Sequence, residues 1–174
     1  GHDRLGFAPD VVTVGKPMAN GHPVAAVLTR PEIMAAFREA FGYFNTFGGN
    51  PVSAAACLAV LDVIEEEGLQ QNAARVSAHM LERMRALRHP LLAEVRANGM
   101  FFGAEFVLDD AMTPAGDFVA EVVERLVARG FILNRIGRAQ NTLKIRPPMP
   151  FSVENADMLM DAITAVLAET PISA

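Results

Sequence analysis

One lysine, set in a turn of glycine and proline, is the first residue whose placement suggests chemistry. Val11-Val12-Thr13-Val14 is a short β-branched run bounded by Asp10 and Gly15, the pattern of an interior strand. Lys16 follows at once, in the stretch Gly15-Lys16-Pro17-Met18-Ala19-Asn20-Gly21-His22, too rich in breakers to be helix. A second buried strand is predicted over 23–28. An amine held between two rigid strands can lose its water shell, and a desolvated amine attacks carbonyls. Taken alone, the same residue is also an ordinary solvated turn lysine.

Two further groups carry polar heads in suggestive places. Thr46-Phe47-Gly48-Gly49-Asn50-Pro51 offers a hydroxyl that can donate to a phosphate oxygen, beside glycines that let backbone approach closely. Without a ligand it is still a turn leading into a capped helix. Lys144 and Arg146 lie two apart on a predicted strand over 142–146, so both point to one side and Ile145 to the other. They are either a substrate-binding pair or plain surface charge on an edge strand. The four histidines show no metal-ligand spacing, and His22 is expected to shape the lysine turn rather than bind a metal.

Together these segments resemble the class III aminotransferases, which use pyridoxal 5'-phosphate (PLP). The lysine turn, the Thr-aromatic-Gly-Gly-Asn-Pro loop and Lys144-Ile145-Arg146-Pro147-Pro148 occur in the family's order with roughly its spacing. The resemblance implies an α/β chain of PLP-dependent transferase fold type I: the C-terminal portion of the large domain followed by a small α+β domain. It implies that Lys16 is both catalytic and cofactor-binding, as the Schiff-base lysine. It implies that Thr46 contacts the PLP phosphate of a neighbouring subunit, in a homodimer with shared active sites. Family members that bind an α-carboxylate usually carry arginine three residues before the Pro-Pro pair, where this chain has Lys144. Lysine lacks the two-pronged grip arginine gives a carboxylate. The substrate is therefore expected to be an amine without an α-carboxylate, or one carrying phosphate.

Two reactions follow from the resemblance. One is transfer of an amino group from an amine or amino acid to a keto acid. The other is elimination, as in phospho-lyases acting on phosphoethanolamine-like amines. The resemblance also places residue 1 inside the large domain. The main phosphate loop, the aromatic that stacks on the cofactor and the aspartate beneath its ring nitrogen are expected upstream, so an isolated fragment is expected to have no turnover of its own.

Composition narrows the partners. The 174 residues are 51% hydrophobic and 20% charged, which is globular rather than disordered. A net charge of -5 argues against nucleic acid or an anionic membrane as a partner. No apolar run approaches the length of a membrane span, and residue 1 begins nothing like a signal peptide. Cys57 alone can form no internal disulfide, which suits a reducing, cytoplasmic setting.

The elements that must position these residues can be read in outline. Thr29 with Glu32 reads as a capping box for a short helix ending near Gly42. Asn50-Pro51 opens a helix to about Glu67, rich in small residues and expected to be buried, with Gly68 stopping it. A second helix over 69–88 carries the stripe Leu69, Ala73, Val76, Met80, Met84 and Leu87. Strands over 94–97 and 100–106 meet at Asn98-Gly99. A helix marked by Val119, Val122, Val123 and Leu126, strands over 131–134 and 142–146, and a Ser152-capped helix with Ala156, Leu159, Met160, Ile163 and Val166 as its core face complete a β-β-α-β-β-α unit. The domain division is placed at 1–70 and 71–174.

Overall fold

A computed structural model of the chain describes residues 1–172. It divides into two compact units, Gly1–Glu67 and a second beginning at Gly68.

The first unit holds a helical turn His2–Leu5 (α1), strands Val11–Val14 (β1) and Ala26–Thr29 (β2), and helices Pro31–Ala40 (α2) and Pro51–Glu66 (α3). The strands form an antiparallel two-stranded ribbon, Val11 opposite Thr29 and Val14 opposite Ala26. Three expectations change here. The second strand starts at Ala26, three residues later than predicted, because residues 20–25 complete the lysine turn. Both strands are largely exposed rather than interior, Val27 at 59% and Leu28 at 54%, since a ribbon alone has no layer to bury its faces. For the same reason the small-residue helix α3 buries only Ser53.

The predicted capping box at Thr29 does not form. Its hydroxyl instead donates to the Asp10 carbonyl at 2.9 Å, fastening the end of β2 to the start of β1. The cap position falls to Arg30, with Pro31 in the first turn, and Glu32 pairs with Arg30 Nε at 2.7 Å rather than reaching back to Thr29. The start of α3 is as predicted: the Asn50 side chain accepts from Ser53 N at 2.9 Å, and Pro51 has no N–H to leave unsatisfied. Gly68 adopts the left-handed conformation, φ 59°, that ends one helix and admits the next.

The second unit runs helix Leu69–Ala86 (α4), strands Leu92–Asn98 (β3) and Phe101–Phe106 (β4), helix Gly116–Ala128 (α5), strands Asn134–Ile136 (β5) and Thr142–Ile145 (β6), and helix Val153–Glu169 (α6). The four strands form one antiparallel sheet in the order β3-β4-β6-β5. Its core is the predicted one: Val76, Met80 and Met84 of α4, Val119, Val122 and Leu126 of α5, and Ala156, Leu159, Met160, Ile163 and Val166 of α6. These meet Phe102, Ala104, Phe106, Leu143 and Ile145 of the two central strands. One strand differs: pairing begins at Asn134, where the predicted segment over 131–134 ends, because Phe131 and Leu133 pack against the core instead. Ser152 caps α6 through a reciprocal bond with Asn155.

No helix among the described residues is long and apolar enough to cross a membrane.

Candidate functional site

Lys16 sits where β1 has ended and the chain turns back toward β2. Residues Lys16–Ala19 form a single 3-10 turn, so the segment predicted to be non-helical holds one tight helical turn around Pro17. Lys16 itself adopts φ 48° and Asn20 φ 46°, left-handed conformations unusual for residues with a β-carbon. Bonds from Met18 N to Gly15 O and from Asn20 N to Pro17 O close the turn, and His22 N to Ala19 O extends it. Ala19 is buried at its foot, whereas Lys16 is exposed. Among the described residues, no ion pair or hydrogen bond engages the Lys16 amine.

Thr46 lies in the same unit, in the loop between α2 and α3. At Gly48 a β-carbon would come within 2.7 Å of the exposed Asn45 amide, which would have to move aside. Gly49 takes φ 71°, which turns the chain into the Asn50 cap. Asn50 Nδ2 donates to the Phe47 carbonyl at 2.9 Å, fixing the loop to the helix start. The Thr46 hydroxyl has no partner within the described chain. A third bond joins the two signature segments: His22 Nε2 lies 2.8 Å from Ser53 Oγ. Sequence reading assigned His22 to the turn but did not find Ser53. The Asn50-x-x-Ser53 spacing signals a cap, but nothing local signals a contact 31 residues away.

Lys144 and Arg146 lie in the second unit, and the alternation expected of them holds. Ile145 is 1% exposed, whereas Lys144 is half-buried and Arg146 exposed. Lys144 pairs in register with Gly103 on β4 and Asn134 on β5. The Arg146 guanidinium stands 4.8 Å over the centre of the Phe101 ring, a cation–π contact on the face away from the core. Nearby carboxylates are already engaged. Arg96 bridges Glu94 and Glu105, and its hydrogen bond holds the Glu105 carboxyl below the usual carboxylate range. Lys144 is therefore left without an ion pair among the described residues. Phe101 was not singled out in the sequence.

The structure thus gathers Lys16 and Thr46 in one unit and Lys144 with Arg146 in the other. Within the first unit the Lys16 amine and the Thr46 hydroxyl are both unengaged; in the second, Lys144 has no ion pair among the described residues, whereas Arg146 is held over Phe101. No cluster of His, Cys, Asp and Glu among the described residues could hold a metal ion. A recess of about 700 Å³ beside the start of α5, lined by Leu91, Pro114, Asp117, Phe118 and Glu121, contains none of the four candidates.

Comparison with known proteins adds an independent line. The profile of aminotransferase class-III matches residues 1–167. The alanine–glyoxylate aminotransferase 2-like protein of Drosophila melanogaster is 43% identical over 95% of this chain. The chain spans only 35% of that relative's length. A phospholyase from Arthrobacter, solved in complex with phosphoethanolamine, superposes with a TM-score of 0.93 at 38% identity, covering 98% of this chain and 41% of that one. An amine transaminase from an uncultivated Pseudomonas species, solved in the PLP-bound internal aldimine form, gives a TM-score of 0.86 at 28% identity, over 97% of this chain and 40% of that one.

Proposed function

Because the chain belongs to the class III aminotransferase family, we propose that it is the lysine-bearing, C-terminal part of a longer PLP-dependent enzyme. The carrying observation is Lys16: an unengaged amine in a strained, closed turn between two strands, within the segment that resembles the family's lysine motif. Bound PLP supplies an aldehyde for an amine to join and a ring that takes up electrons from the substrate carbon. Lys16 provides the amine that holds the cofactor and, once displaced, the base that carries a proton between carbons. Thr46 donates its hydroxyl to the cofactor phosphate, across a homodimer interface to the neighbouring subunit's site. Lys144 and Arg146 supply positive charge for the substrate's anionic group.

The reaction read for the whole enzyme is amino transfer from an amine or amino acid to a keto acid. Two observations favour a second reading, elimination of phosphate from a phosphoethanolamine-like amine. Lys144 stands where carboxylate-binding relatives carry arginine, and the Arthrobacter phospholyase is among the similar structures. The chain by itself is read as inactive. The lone Cys57 supports a reducing, cytoplasmic setting.

The test is PLP addition, borohydride reduction and peptide mapping of the longer protein, followed by product analysis. Pyridoxyl label on Lys16, lost in Lys16→Ala, is expected; label scattered over many lysines would overturn the assignment. Turnover that requires a keto acceptor identifies transamination, and release of phosphate and ammonia without one identifies elimination.

A further inference from the structure

Ser53 is the only buried polar side chain of the first unit among the described residues, and its hydroxyl is shared between the two signature segments. Asn50 sets the direction of its own bonds to Ser53. Its Oδ1 accepts from Ser53 N at 2.9 Å, which turns Nδ2 toward Ser53 Oγ, also at 2.9 Å. An amide Nδ2 can only donate, so Ser53 Oγ accepts there. The remaining neighbour of the hydroxyl is His22 Nε2 at 2.8 Å. The imidazole tautomer sets which of the two donates, and in either direction the bond ties the buried hydroxyl to the ring. The bonded chain runs from Asn50 through Ser53 to His22.

Each end of this chain is anchored in a candidate segment. Asn50 Nδ2 also donates to Phe47 O, one residue past Thr46. His22 ends the turn that begins at Lys16, and His22 N bonds Ala19 O within it. The turn holds two residues at left-handed φ, Lys16 and Asn20, and such conformations persist only where their surroundings over-determine them. The turn's own bonds are local. The bond to Ser53 is the one side-chain anchor between the turn and α3 among the described residues.

We propose that His22 is a positioning residue for Lys16, acting through Ser53 and Asn50. It holds the lysine turn in its left-handed conformation and fixes it to the loop that carries Thr46. The inference rests on the reading of Lys16 as the cofactor-binding lysine and adds the residues that aim it. A lysine aimed by a buried hydroxyl loses rate when that hydroxyl is removed, while substrate affinity is spared.

The experiment uses the longer protein, loaded with PLP, as wild type, Ser53→Ala, His22→Leu and His22→Gln. The rate of reductive trapping at Lys16 is read by peptide mapping, beside kcat and KM. Ser53→Ala and His22→Leu are expected to slow trapping and kcat roughly ten- to hundred-fold with little change in KM. Gln can accept from Ser53 through its carbonyl oxygen or donate to it through its amide, so His22→Gln is expected to recover most of the loss. Label on Lys16 in wild type with unchanged trapping in Ser53→Ala and His22→Leu overturns this inference alone. Absence of label on Lys16 in wild type overturns the underlying assignment instead, and the inference with it. Nitrogen-15 spectra of the unmutated chain give a check that does not depend on variants folding. A hydrogen-bonded Nε2 at His22 is expected, and an Nε2 exposed to solvent without a hydrogen bond overturns the proposal.

Discussion

Lys16 adopts a backbone conformation that suits glycine better than lysine. At φ 48° a residue with a β-carbon crowds the following carbonyl, at a cost of about 1–2 kcal/mol. Glycine relieves that crowding but adds freedom to the unfolded chain, which takes back roughly half of the gain. Lys16→Gly is therefore expected to unfold at higher denaturant than Lys16→Ala, by about 1 kcal/mol, while both lose the amine. Equal stabilities in parallel urea titrations would show that the turn is relaxed in solution. None of this strain was legible beforehand: glycine and proline marked a turn, but they do not say which residue takes positive φ. Thr29 shows the same limit. Its sequence fits a helix cap, yet β2 extends through it and gives its hydroxyl a nearer acceptor at Asp10.

At the scale of elements, packing between α4 and α6 is flanked by a charged clamp. Asp157 Oδ1 lies 2.7 Å from His79 Nε2 and 2.5 Å from Arg83, and Arg83 also reaches Asp161 at 2.6 Å. The hydrogen bond from His79, then that from Arg83, holds the Asp157 carboxyl below its usual range. A carboxyl whose folded pKa is depressed stabilises the fold above its unfolded value, and that contribution is lost as pH falls through the folded one. Asp157→Asn is accordingly expected to lower the midpoint of thermal unfolding at pH 6, with the gap to wild type closing as pH is brought below about 4. A gap independent of pH would assign the effect to packing rather than charge. High salt should also shrink it, because the groups are partly exposed. The hydrophobic stripes of these helices were readable in advance, since a 3.6-residue period maps directly onto the buried face. The clamp was not: Arg83 and Asp157 are 74 positions apart, and no local pattern joins them.

At the scale of the molecule, the two units contrast in how much of themselves they bury. The second has a continuous core between its sheet and helices. The first leaves Phe41, Tyr43, Phe44, Phe47, Leu58 and Leu61 exposed, and of its apolar residues only Ala19 is buried among those described. Sequence pattern recorded β1, β2 and α3 as interior because their apolar residues are those of covered elements. The chain, about a third the length of its curated relatives, does not itself supply the cover. The positions of the elements were therefore legible and their burial was not. In the second unit both were, because the faces that meet lie within the chain.

The loop over 41–49 turns this imbalance into a measuring device. It has four exposed aromatic rings and no regular structure, which is what a protease with aromatic preference needs. A brief chymotrypsin pulse on the chain is expected to cut there first, releasing Lys16 with the N-terminal piece while the sheet of the second unit survives. The same pulse on the longer protein should spare the loop, and equal cutting in both would show that nothing covers it. The lag before cleavage then works as a footprint, reporting when the aromatic rings of this loop pass from water into contact with the rest of the enzyme.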